Sequence, residues 1–234
     1  RTLERALAET RPTQSAAEAE PPGRVGRISL ASAGTQLRIG DSLASGEDTL
    51  NWPLTTGALI ETSAGGRSEV RIGSMALHID GGTALEFADL DDARIRLRLH
   101  RGSIVIVLRN PEHAAETTLE TPEGSLRFET PGSYRADVAG GTTAFSAYRG
   151  RALIETVGLT LQAGERIVLL GGPDRRYLLG QTTTDAFRQW SLAREPGPTL
   201  GQHVSPEMTG QEALDRHGTW KETAEYGTAW FPQY

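Results

Sequence analysis

Apolar and polar positions alternate along most of the chain in short runs, and Gly, Ser or Asp cuts each run. A period of two puts alternate side chains on opposite faces of a strand, so the pattern predicts many short, half-buried strands in series. It is clearest from Trp52 to Leu108. Val25, Ile28 and Leu30 open the series; Leu37 and Ile39, Leu59-Ile60, Val70-Ile72, Met75-Leu77-Ile79 and Leu85-Phe87 follow. Ile95-Leu97-Leu99, Ile104-Ile106, Leu126-Phe128, Tyr134 to Val138, Phe145 to Ala147 and Ala152 to Ile154 continue it. The apolar phase switches from even to odd positions across Gly73-Ser74, which a period of two allows only at a turn or a bulge. Asp80-Gly81-Gly82 signals a tight turn. Leu159-Thr160-Leu161 and Ile167 to Leu170 read as a hairpin turning at Ala163-Gly164-Glu165.

The ends of the chain break this pattern. Residues 1–23, rich in Ala, Glu and Pro, read as a flexible leader or linker. Residues 24–172 form the β domain, and 173–234 a small helical, aromatic-rich extension. In that extension Thr184-Asp185 can cap a helix carrying Phe187 and Trp190 at i and i+3. Ser205-Pro206 starts a second helix. Gln211 to His217 looks helical, with Gly218 as its closing glycine. Trp220, Tyr226, Trp230, Phe231 and Tyr234 crowd the last stretch. The expected architecture is all-β: an irregular β-solenoid or roll of short strands. One echo, Leu99-His100-Arg101-Gly102-Ser103-Ile104 against Ala147-Tyr148-Arg149-Gly150-Arg151-Ala152, suggests stacked irregular coils without a fixed period.

Charge and composition narrow the function classes. The net charge of −6 gives the whole molecule no electrostatic reason to seek nucleic acid or an anionic membrane. With no cysteine, a disulfide scaffold, a thiolate metal site and a cysteine nucleophile are all excluded. No apolar run is long enough for a membrane-spanning helix, and residues 1–8 hold no signal-peptide core, so a cytoplasmic or a trimmed, mature chain is expected. The five histidines stand outside metal-binding spacings, and His78 is expected to face solvent. No phosphate loop, dinucleotide fingerprint or nucleophile elbow is present, so neither cofactor nor metal is expected. Acidic pairs such as Glu86 and Asp89 would need to meet in a cleft to act as a glycosidase pair.

Two sets of candidate binding residues remain. Arg94, Arg96, Arg98 and Arg101, with His100, form a basic stripe that could hold phosphate or an acidic partner. The plainer reading is a wet strand face neutralised by Asp89, Asp91 and Asp92. Trp190, Trp220, Tyr226, Trp230 and Phe231 form either a small satellite core or an aromatic platform for a protein partner or a glycan.

Trp52-Pro53-Leu54-Thr55-Thr56-Gly57-Ala58, followed by Ser68 to Asp80, resembles the FecR domain. Arg101-Gly102-Ser103 and Ala163-Gly164-Glu165-Arg166 are similar to that family's glycine break and closing hairpin. The resemblance covers about residues 24–172. Phe187 to Trp190, Val204 to Met208, Leu214 to Trp220 and Glu225 to Pro232 are similar to an uncharacterised proteobacterial family. It joins a FecR-like domain to a module of Tyr-Gly…Trp…Pro repeats, and that module is expected to continue past Tyr234.

The resemblance implies a non-enzymatic, periplasmic or envelope-associated protein with no catalytic residues to carry over. FecR proper spans the membrane and relays an outer-membrane transporter's signal to an extracytoplasmic sigma factor; only its periplasmic module is expected to be shared here. The expected partner is an envelope protein, with self-association through open strand edges or glycan binding through the C-terminal aromatics beside it.

Overall fold

The structure, a computed structural model, describes residues 23–173, 176–195, 203–204, 214 and 217–233. The leader at 1–22, the helix start at Ser205 to Met208 and most of Gln211 to His217 lie outside the described residues. Strands dominate what is described. In chain order they are β1 (Gly26–Ala31), β2 (Thr35–Ile39), β3 (Ser42–Ser45), β4 (Pro53–Leu54), β5 (Ala58–Thr62), β6 (Ser68–Ile72) and β7 (Met75–Ile79). Then come β8 (Ala84–Leu90), β9 (Ile95–Leu108), helix α1 (Pro111–Glu116), β10 (Thr117–Glu120), β11 (Ser125–Phe128), β12 (Gly132–Ala139) and β13 (Thr142–Arg149). The series closes with β14 (Arg151–Ile154), β15 (Leu159–Gln162), β16 (Glu165–Leu170), β17 (Tyr177–Gln181), helix α2 (Ala186–Arg194), β18 (Gly218–Thr223) and β19 (Gly227–Pro232).

Strands β1 to β17 make two layers joined through one strand. The front layer runs β3-β2-β5-β8-β9-β10-β11-β14-β15. The back layer runs β4-β1-β6-β7-β9-β12-β13-β16-β17. The 14-residue β9 belongs to both. Its first half pairs with β8 and β10, its second half with β7 and β12. The result is one large mixed sheet folded over on itself, without barrel closure.

The apolar phase of each strand points between the layers. Leu37, Ile60, Phe87, Leu97, Leu126 and Ile154 of the front layer meet Ile28, Val70, Leu77, Ile106, Tyr134 and Phe145 of the back layer in a single buried core. Packing two inner faces in this way explains why half of each alternating strand is apolar.

The all-β expectation holds, whereas solenoid-like stacking is not recovered. Stacked coils would pair in parallel, but every pairing here is antiparallel except β9 with β10. That parallel step is bridged by α1, whose Asn110 cap accepts a hydrogen bond from the Glu112 N–H at 2.8 Å. The chain therefore throws short hairpins alternately onto the two layers. Gly73-Ser74 is the tight turn of the β6–β7 hairpin, with Ile72 opposite Met75, and so absorbs the phase switch. Ala163-Gly164 is not a hairpin turn. β15 pairs with β14 in front, whereas β16 pairs with β13 and β17 behind, so the chain rounds a corner there.

The sequence echo marks two such corners. Gly102 and Gly150 both have φ of 86°. At Gly102, β9 passes from front to back; at Gly150 the chain returns to the front. A Cβ on Gly102 would lie 2.4 Å from Thr83 Cα, and one on Gly150 2.2 Å from the Tyr134 hydroxyl. Only glycine satisfies both the positive φ and the close approach.

Candidate interaction site

The outer face of the back layer is covered by α2. Asp185 caps the helix, its carboxylate accepting from the Arg188 N–H at 2.8 Å. Phe187 then packs on Ala76, Val105 and Val107 in a second small core, with Trp190 against it. The Trp190 ring lies 6.0 Å from that of Phe187 and meets His78 edge-on at 5.6 Å. Arg67 and Arg194 cover it at 5.2 and 5.3 Å. Trp190 thus holds the helix to the sheet and presents no open aromatic platform.

His78 corrects a sequence expectation. It is fully buried beneath α2, with Nδ1 2.7 Å from Ser191 Oγ. Strand alternation does send it away from the main core, but α2 occupies that side. Nε2 lies 3.9 Å from Glu69 Oε2 and has no hydrogen-bond partner among the described residues. Burial lowers its pKa to about 4, against the pull of Glu69, so the imidazole is neutral near pH 7.

Glu69 anchors an ion cluster under the helix. Its carboxylate accepts from Arg71 at 2.8 Å, from Ser29 at 2.8 Å and from Arg194 of α2. Burial would raise its pKa, but Arg71 and Arg194 outweigh that and hold it at about 2. Glu195 closes the helix end by accepting from Arg188 at 2.8 Å and Arg149 at 2.6 Å. Arg135 bridges Asp137 and Asp185, each at 2.7 Å. This cluster joins β6, β12, β13 and α2 by charge, and no sequence motif announced it.

The basic stripe crosses the outer face of the front layer, and each of its basic side chains has an acidic neighbour, several of them shared. Arg94 and Arg96 meet Asp89 at 3.4 and 2.9 Å. Arg98 lies between Glu86 and Glu120 at 3.2 and 3.0 Å. His100 pairs with Glu86 at 2.8 Å, and Arg101 with Glu61 at 2.8 Å. Of the acids expected to neutralise it, Asp89 does so; Asp91 instead caps its own turn by accepting from Ala93 and Arg94 N–H. Glu61, Glu86 and Glu120 come from neighbouring strands. Glu86 and Asp89 therefore form part of this ladder and do not face each other across a cleft.

The remaining aromatics form a separate two-stranded hairpin. Trp220 sits opposite Trp230 on one face, and Phe231 opposite Thr219 on the other. Trp230 Nε1 donates to the Leu214 carbonyl at 2.9 Å, and its ring lies where a Cβ on Gly218 would be, 2.2 Å away. Gly218 thus opens β18 directly after the helical His217 and leaves room for an indole. Trp220 contacts His203, ring to ring, at 5.0 Å. Tyr226 at the turn is 75% exposed and Phe231 40%, so the hairpin offers apolar surface to solvent.

A cleft of about 340 Å³ lies at the far end of the roll, lined by Glu123, Val157, Leu169, Gly171 and Arg176 among others. Its carboxylate, Glu123, accepts from Thr143 Oγ1 at 2.5 Å. No group of three His, Cys, Asp or Glu side chains able to hold a metal occurs among the described residues. No described helix is long and apolar enough to cross a membrane.

No family model matches this chain, and no curated protein matches it. Two crystal structures of a protein assigned as an anti-sigma factor, from Parabacteroides distasonis ATCC 8503, are similar in chain course. One, at 2.50 Å resolution, has a TM-score of 0.47 and 12% identity; the other, at 1.65 Å, has 0.46 and 11%. Each alignment covers 75% of this chain and 99% of the other. The functional reading rests on the residues themselves.

Proposed function

We propose that this protein is a non-enzymatic protein-interaction module of the cell envelope, working in the periplasm as part of FecR-like signalling. The observation that carries the reading is the division of its surface. The charged side chains of the front stripe and beneath α2 are paired within the molecule, so they have little left for an ionic ligand. Exposed aromatic side chains stand instead on the C-terminal hairpin, at Tyr226 and Phe231, apart from the exposed aliphatic side chains such as Leu43 and Leu179 on strand edges. Aromatic side chains of that kind dominate the energetics of protein interfaces. The FecR-like stretch from Trp52 to Asp80 and the aromatic C-terminal segments supply the envelope and signalling part of the proposal.

A non-enzymatic role accords with the state of the buried carboxyl groups. A general acid needs a raised pKa, whereas arginines hold Glu69 near 2 and Glu195 below its usual value despite burial. Glycan binding is the second reading. It is favoured by the Trp220–Trp230 pair, since two indoles on one face can stack on sugar rings.

Crosslinking pull-downs from envelope extract, with the native chain and a Tyr226→Ser/Phe231→Ser variant, distinguish the two. This variant leaves the Trp pair in place. A discrete protein captured by the native chain and lost in the variant supports the interaction module. Recovery of peptidoglycan or polysaccharide without protein sinks it in favour of the glycan reading.

A further inference from the structure

Strand β17 is the back layer's terminal strand, and all five of its residues are exposed. It carries Tyr177, Leu178 and Leu179 in a row, at 43, 57 and 73% exposure. It pairs with β16 alone among the described residues, leaving its far edge open. The other three terminal strands are guarded. β4 is two residues long and begins with Pro53; β3 is four residues long and ends in Ser45 before Glu47 and Asp48; β15 is four residues long, and its Gln162 N–H donates to the Glu165 carboxylate. Proline, shortness and charge are the usual devices against edge pairing. β17 holds neither proline nor charge within its five residues, Arg176 standing just before it, and no bulge interrupts its register.

The hydrogen-bond phase of that edge is fixed. Leu170 N–H donates to the Arg176 carbonyl and Thr182 N–H to the Gly164 carbonyl. In an antiparallel ladder, bonded pairs recur every second residue. Leu178 and Gly180 therefore turn their backbone groups toward β16. Tyr177, Leu179 and Gln181 turn theirs outward, three N–H and three C=O groups in all.

We propose that β17 pairs with β17 of a second copy of this chain, antiparallel, about a two-fold axis through Leu179. That register sets Leu179 against Leu179 and Tyr177 against Gln181, twice. These three pairs of two bonds each, six in total, satisfy every outward group of the strand. Charge fits the same occupant. No formal charge occurs from Tyr177 through Thr184, and Arg176 would face Thr182, so two like copies bring no like charges together. Between Arg176 and Asp185 this edge offers no charge to an acidic or basic peptide. The contact is small, so a dissociation constant of roughly 10 μM or weaker is expected. The inference is independent of the envelope partner proposed above.

The chain's lack of cysteine makes the register directly testable. In the proposed dimer the Cα atoms of a Leu179→Cys variant lie about 5.5 Å apart, within disulfide range. Those of Leu178→Cys lie about 8 Å apart, outside it. On mild oxidation of the purified chains, the first variant is expected to form a covalent dimer at least ten times faster than the second. Sedimentation over a concentration series should show native self-association. Leu179→Pro removes an outward N–H without touching the β16 ladder, and should weaken association at least tenfold with the melting temperature held. A native chain that stays monomeric to roughly 0.5 mM, or equal cross-linking at 178 and 179, overturns the proposal.

Discussion

At the scale of single residues, two charged neighbourhoods differ through burial. Glu69 and Arg71 are 2 and 5% exposed, so each charge depends on the other. Glu69→Ala would leave Arg71 buried and uncompensated, at a cost of about 3–5 kcal/mol. Arg98 lies on the wet front face, and Arg98→Ala should cost no more than about 1 kcal/mol. Urea melts of the two variants check the contrast. His78 gives the pH dependence. Its folded pKa of about 4 lies below the ordinary 6.5, so the unfolded chain takes up the proton first. Stability is complete above pH 6.5 and is lost as the pH falls toward 4, by on the order of 3 kcal/mol. Glu69, Arg71, Arg194 and Glu195 surround the ring, and the carboxylates only partly offset burial. Melting temperatures read from pH 7 to 4 should fall more steeply for the native chain than for His78→Gln.

At the scale of elements, the fold depends on corners as much as on strands. Gly102→Ala meets both a positive φ and the Thr83 backbone, and should destabilise by about 3 kcal/mol or more. Gly140→Ala meets the positive φ alone, with open space around it, and should cost about 1 kcal/mol. Denaturant midpoints of the pair measure the difference. The corners also explain what the sequence could convey. Alternation placed nearly every core residue of β5 to β9, since a period of two reports which side of a strand is apolar. It does not report which strand lies alongside, so the corner at Ala163-Gly164 reads like a hairpin turn. His78 was illegible for a related reason. Its partner Ser191 lies 113 residues away, on a helix whose Asp185 cap was visible but whose seat was not.

At the scale of the whole molecule, the two outer faces are closed in different ways. The front face carries a ladder of paired charges, and the back face carries α2. Among the described residues, open apolar surface includes the edge of β17 and the C-terminal hairpin. The candidate aromatics were legible as a composition shift, yet the sequence grouped Trp190 with the rest. A helical residue with an i−3 aromatic neighbour can face a sheet as readily as solvent, and only the packing of Phe187 on Val105 and Val107 decides.

The central claim is that the exposed hairpin contacts a protein. The most direct measurement places a photoreactive amino acid at Tyr226 and irradiates the chain in envelope preparations. The account predicts one discrete protein adduct, lost when Phe231→Ser is added. A carbohydrate adduct, or a label that reacts only with solvent at saturating envelope concentration, would contradict it.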